Sequence, residues 1–124
     1  MYDKSLVIEI IEQILGSIEK IERRFININS SDDFLDSDEG MDMLDSICMQ
    51  LIATGESIKN IDKISNGELL TKYPDVDWKG IKGVRDIISH HYFDIDAEEI
   101  FNICENNIEK LSQTLKLILN HLIK

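Results

Sequence analysis

Arg85, Asp86, Ser89, His90, His91 and Tyr92 fall within eight consecutive residues, and two of the three histidines of the chain are among them. Arg85 offers a planar, permanently charged fork suited to phosphate. His90 is an acid or base near neutral pH. Asp86 stands four residues before His90, one turn away on a helix, where it can accept a hydrogen bond from the imidazole and fix its orientation. At the end of a helix the dipole also favours the protonated form of His90. A histidine that takes the proton from a ribose 2′-hydroxyl, beside an arginine that stabilises charge on the phosphorus oxygens, suits metal-free cleavage of RNA. The sequence holds no glycine-rich phosphate loop, no zinc-type cluster and no clear triad of nucleophile, base and orienting acid.

One chain supplies only part of such a site. A five-residue separation on an ideal helix sets Arg85 and His90 about 140° apart. Acid and base roles also ask for two groups, and a two-fold homodimer would bring two arginines and two histidines together across a cleft. A bland alternative stands beside this one: Arg85 pairs with an Asp or Glu on a neighbouring helix, and the histidines merely end theirs. Tyr92, too, could be an ordinary tyrosine at a helix end. The net charge of −11 counts against a general nucleic-acid binder. Its distribution is uneven. Seven acidic residues and no basic one lie between Asp32 and Asp45, whereas Lys72, Lys79, Lys82 and Arg85 face only Asp75 and Asp77 in the later stretch. Lys79 and Lys82 are therefore the candidate RNA phosphate contacts, although lysines alone fit a solvated face equally well.

The rest of the sequence reads as scaffold. With one proline and six glycines in 124 residues, it suits one helical domain over residues 1–124. The first helix is expected over about Asp3 to Ile26, with Val7, Ile11, Ile14, Ile18, Ile21 and Phe25 as one apolar stripe. A polar connection follows to about Ser37. The second helix runs from about Asp38 to Lys63, striped by Leu44, Ile47, Leu51, Ile58 and Ile61, and interrupted by Gly55, which points to a close helix crossing. Ser65 and Glu68 have capping-box spacing, which suggests a short extra helix. Asp77 caps a third helix that starts at Trp78 and runs to about His91. Asp94 or Asp96 caps the last, whose stripe runs Ile100, Cys104, Ile108, Leu111, Leu115, Ile118 and Leu122. His121 is expected at the surface. The sum is an all-α protein, an antiparallel up-and-down four-helix bundle with a short helix before the third main one. Cys48 and Cys104 lie within apolar helical patterns and read as buried thiols, and neither a metal nor a cofactor is expected. No membrane span or leader peptide is legible, so a cytoplasmic protein is expected.

Several motifs together resemble a known family. Arg85, four residues, His90, one residue and Tyr92, followed by Phe93-Asp94-Ile95-Asp96, is similar to the signature of the HepT-like branch of the HEPN superfamily. Ile52 to Ser57 resembles that family's Ile-Gly-Glu-Ala segment. Pro74, Trp78, Ile81 and Arg85 follow its Pro-x-x-x-Trp-x-x-Ile-x-x-x-Arg run. The resemblance covers most of the chain from about Met43. It implies a HEPN-like bundle and a ribonuclease toxin of a toxin–antitoxin pair, acting as a homodimer with Arg85 and His90 catalytic in an interfacial cleft. It also implies a minimal nucleotidyltransferase partner that inhibits by transferring AMP onto Tyr92. Two positions depart from the pattern. Asp86 stands where Asn is common, and His91 where Gly is common. Either histidine could therefore be the active one; His90 keeps the spacing to Tyr92.

Overall fold

The computed structural model describes residues 2–90 and 96–124, His90 in its backbone alone, and every regular element among them is helical. Helix α1 covers Lys4–Phe25. Asp3 caps it by accepting the Leu6 N–H at 3.1 Å, and Arg23 and Arg24 meet the negative end of its dipole. Val7, Ile11, Ile14, Ile18 and Ile21 are all buried, so the sequence stripe is the core face.

The connection after α1 holds a four-residue helix, α2 (Asp32–Leu35), that the sequence pattern does not announce. A single turn is too short to display a period. What holds it is local: the Asp33 carboxylate accepts the N–H groups of Asn29 at 2.7 Å and Ser30 at 3.3 Å, and Phe34 is buried beside Phe25. Ser37 then caps α3 (Asp38–Ile64) through the Gly40 N–H at 2.9 Å. Helix α3 packs along α1, and also carries α4 and α5.

Beyond α3, Asn66 and Gly67 take positive φ values of 56° and 75° and reverse the chain, a conformation that glycine adopts without a Cβ penalty. The Gly67 N–H bonds back to the Asp62 carbonyl at 2.8 Å. The expected capping box does not form. The buried Ser65 hydroxyl donates instead to the Ile61 carbonyl at 2.9 Å, which also accepts the Ser65 N–H at 2.9 Å. A 3-10 turn, Leu70–Lys72, follows.

The third predicted helix forms as two, α4 (Trp78–Lys82) and α5 (Val84–His90), parted at Gly83. The Gly83 carbonyl still accepts from Asp86 at 3.1 Å and Ile87 at 3.4 Å, so the path continues with one residue out of pattern. Asp77 caps α4 through the Gly80 N–H at 3.0 Å, and the Trp78 indole donates to the Tyr73 carbonyl at 2.8 Å. The last predicted helix also divides, into α6 (Ala97–Asn106) and α7 (Ile108–Ile123). Ile100 and Cys104 before the break, and Ile108, Leu111, Leu115 and Ile118 after it, are all buried; the period runs through the break and conceals it. Asp96 caps α6 through the Glu99 N–H at 3.1 Å; Asp94 lies outside the described residues. Helix α7 packs on α1 and α6. His121 is exposed, as expected, yet its Nδ1 lies 2.6 Å from the Tyr73 hydroxyl, tying α7 to the turn before α4. No described helix is long and apolar enough to cross a membrane.

Candidate active site

Helix α5 is anchored by Val84 and Ile88, one turn apart and both buried, and it presents Arg85, Asp86 and Ser89 to solvent. Its place is set by Gly55. A Cβ on Gly55 would come within 2.7 Å of the Ile81 carbonyl oxygen and 3.2 Å of a Val84 methyl, so only a glycine lets α3 run this close to α4 and α5. The close crossing read from the sequence is present, and the next residue after it is the one that meets Arg85.

That residue is Glu56. Its Oε1 lies 3.4 Å from Arg85 Nη1 and 3.5 Å from Lys59 Nζ, so one carboxylate is shared by two cations. The Arg85 side chain remains 57% exposed and that of Glu56 41%. A pair this open gains little in water, and its separation by an incoming phosphate costs correspondingly little. Among the described residues the guanidinium's remaining donors form no other ion pair.

The two lysines differ. Lys82 Nζ sits 2.5 Å from Asp62 of α3 and is about one-third exposed, so a carboxylate already holds it. Lys79 is exposed and forms no ion pair among the described residues. Asp86 and Ser89 are exposed on the same helix as Arg85. His90 is the last residue of α5; its side chain, together with His91 and Tyr92, lies outside the described residues. The expected contact between Asp86 and His90 lies there too. Among the described residues no group of three or more His, Cys, Asp or Glu side chains is placed to hold a metal ion.

Cys48 on α3 and Cys104 on α6 are buried thiols, as their stripes imply. Burial above all, with Asp45 nearby, pushes the Cys48 thiol up to about 11; burial and then Cys48 push Cys104 up to about 12. Both are protonated and inert at neutral pH. Glu56 and Asp62 are what sequence reasoning left unnamed as partners. A signal existed for Glu56, since it follows the glycine that marks the crossing.

A family model described as Ribonuclease HepT-like matches residues 14–118. Among curated proteins, "Putative RNase MJ0127" of Methanocaldococcus jannaschii is 33% identical over 75 residues, covering 57% of this chain and 59% of that protein. "Gamma-glutamylcyclotransferase and putative RNase MJ0434" of the same organism is 30% identical over 114 residues, or 92% of this chain and 48% of that protein. "Putative RNase TTE0752" of Caldanaerobacter subterraneus subsp. tengcongensis is 35% identical over 65 residues, 52% of this chain and 54% of that one. The chain thus matches about half of the length of these relatives. No solved structure matches it.

Proposed function

The chain belongs to the HepT-like ribonuclease family, and from that premise we propose that it is a metal-independent endoribonuclease toxin. The observation that carries the proposal is Arg85, exposed on α5 and oriented by Glu56 at the Gly55 crossing, with His90 at the end of the same helix. In the proposed reaction His90 takes the proton from a ribose 2′-hydroxyl. The 2′-oxygen attacks phosphorus, and the departing 5′-oxygen is protonated by a second histidine. Arg85 stabilises the charge on the phosphorus oxygens. The second histidine is that of a second chain, in a homodimer whose two-fold cleft holds both motifs. Asp86, Ser89 and His91 support the site. Lys79 and, once released from Asp62, Lys82 contact flanking phosphates. The long helices form the antiparallel up-and-down four-helix bundle that presents the cleft. A minimal nucleotidyltransferase is the proposed antitoxin, and AMP on Tyr92 would add bulk and negative charge where RNA phosphate should lie.

The test is cleavage of a defined single-stranded RNA in the presence of EDTA. Arg85→Ala and His90→Ala, with unchanged melting temperatures, should each lose at least about a hundredfold in rate. Undiminished cleavage by both folded variants removes the catalytic assignment. Intact mass after co-expression with the nucleotidyltransferase should show AMP on Tyr92, and only then.

A second reading has its own support. The net charge of −11, with both Arg85 and Lys82 already engaged by carboxylates, fits a non-catalytic helical module that binds a nucleotidyltransferase. Complex formation without cleavage would favour it.

A further inference from the structure

Helix α3, the α4–α5 pair and the junction of α6 with α7 enclose a cavity of about 310 Å³ that RNA cleavage does not use. Its walls are aliphatic, with Leu51, Ile81, Val84, Ile103 and Leu111 among them. Its mouth is charged: the exposed Asp75, Asp77 and Glu99 stand there against Lys110. One oxygen of Asp77 accepts the Gly80 N–H.

Thr54 also lines this cavity. It is 1% exposed, and its Oγ1 is buried without a hydrogen-bond partner among the described residues. A threonine within a helix can turn its hydroxyl back to the carbonyl one turn earlier. Thr54 has no such bond, and an unpaired hydroxyl withdrawn from water is costly. It therefore stands as a polar group awaiting a partner within an otherwise apolar wall. The volume is at the lower end of small-ligand cavities, roughly 300 Å³ upward. The excess of carboxylates at the mouth disfavours anions and favours cations.

We propose that this cavity binds a small amphipathic cation. An apolar body lies among the aliphatic walls, a hydrogen-bonding group meets Thr54, and a protonated amine sits at the carboxylate mouth. The site is separate from Arg85, and its occupancy does not depend on whether the chain cleaves RNA.

Tyramine is the probe, since it carries a hydroxyl and an ammonium at opposite ends of an aromatic ring. Phenethylamine lacks the hydroxyl; para-hydroxyphenyl propionate reverses the charge. Titration calorimetry and methyl resonances of Val84, Ile103 and Leu111 report binding to the wild-type chain. Tyramine should bind, phenethylamine about fivefold more weakly for want of one hydrogen bond, and the propionate not measurably. Thr54→Val should bring tyramine down to the phenethylamine level and leave phenethylamine unchanged. Glu99→Gln, a surface change that keeps the fold, should weaken both amines several-fold. No tyramine binding to the folded wild-type chain overturns the proposal, as does equal binding of the propionate. Unchanged tyramine affinity in both folded variants overturns it as well.

Discussion

In the proposed reaction Arg85 must be held in place and still be free to meet a phosphate, and an exposed pair with Glu56 is compatible with both demands. Exposed pairs contribute about 0.2–1 kcal/mol, so Glu56→Gln should move the urea midpoint little. It should nevertheless lower kcat/KM several-fold, because the guanidinium loses its orienting contact. Arg85→Lys should fail to restore the activity of Arg85→Ala, since an ammonium lacks the planar fork. A Glu56→Gln enzyme with full activity would show that the contact is incidental. The two thiols give a prediction in pH. Folding raises them to about 11 and about 12 through burial, whereas in the unfolded chain they titrate near ~8.5. Above that pH the unfolded state binds fewer protons than the folded one. Stability contributed by the protonated thiols is complete below pH ~8.5 and declines as pH rises towards the folded values. Urea midpoints between pH 8 and pH 10.5 should fall less steeply in Cys48→Ala/Cys104→Ala than in the wild type. Burial of the cysteines was legible because they sit in apolar stripes. The Arg85 partner was legible only as a type, an acid on a neighbouring helix, because a period fixes a face and leaves the register between helices open.

Elements meet through glycines here, and two positions of one residue type should respond oppositely to the same change. Gly55→Ala would press a methyl against the Ile81 carbonyl and the Val84 side chain. Backbone cannot yield as a flexible side chain can, so a loss of about 1–3 kcal/mol is expected. Because the clash forces α5 off α3, the Arg85–Glu56 contact should be disturbed too, and activity should fall further than stability explains. Gly16, within α1, is the opposite case: a Cβ added there would meet nothing within 4 Å. Gly16→Ala should therefore stabilise by about 0.5–1 kcal/mol through helix propensity alone. Thermal melts of the two variants check the sign: two losses, or two gains, would contradict the crossing geometry. The close approach at Gly55 was legible because a glycine inside a strong apolar stripe needs a reason. The breaks at Gly83 and Asn107 were hidden for the converse reason. Buried side chains keep the helical beat across both, so hydrophobic spacing alone joins α4 to α5 and α6 to α7.

Over the whole molecule, charge and symmetry bear on how an acidic chain could handle RNA. A field from eleven net negative charges opposes approach, so attraction must come from a few local cations. The three phosphate contacts proposed, by Lys79, Lys82 and Arg85, imply a salt slope of only about −2.1 for binding a single strand. Symmetry supplies the stricter test. If the His90 side chains of both chains act together across a two-fold cleft, a dimer with a single intact His90 should not cleave. Unfolding and refolding wild-type and His90→Ala chains as an equal mixture should make about half of the dimers mixed and leave about a quarter wild type, by random pairing. Cleavage should then fall to about a quarter of that of the same amount of wild-type protein. Were Arg85 and His90 of one chain sufficient, about half of it would remain. Mixed dimers detected by mass, with about half of the cleavage retained, would thus sink the shared cleft, even if the wild-type chain is an active ribonuclease.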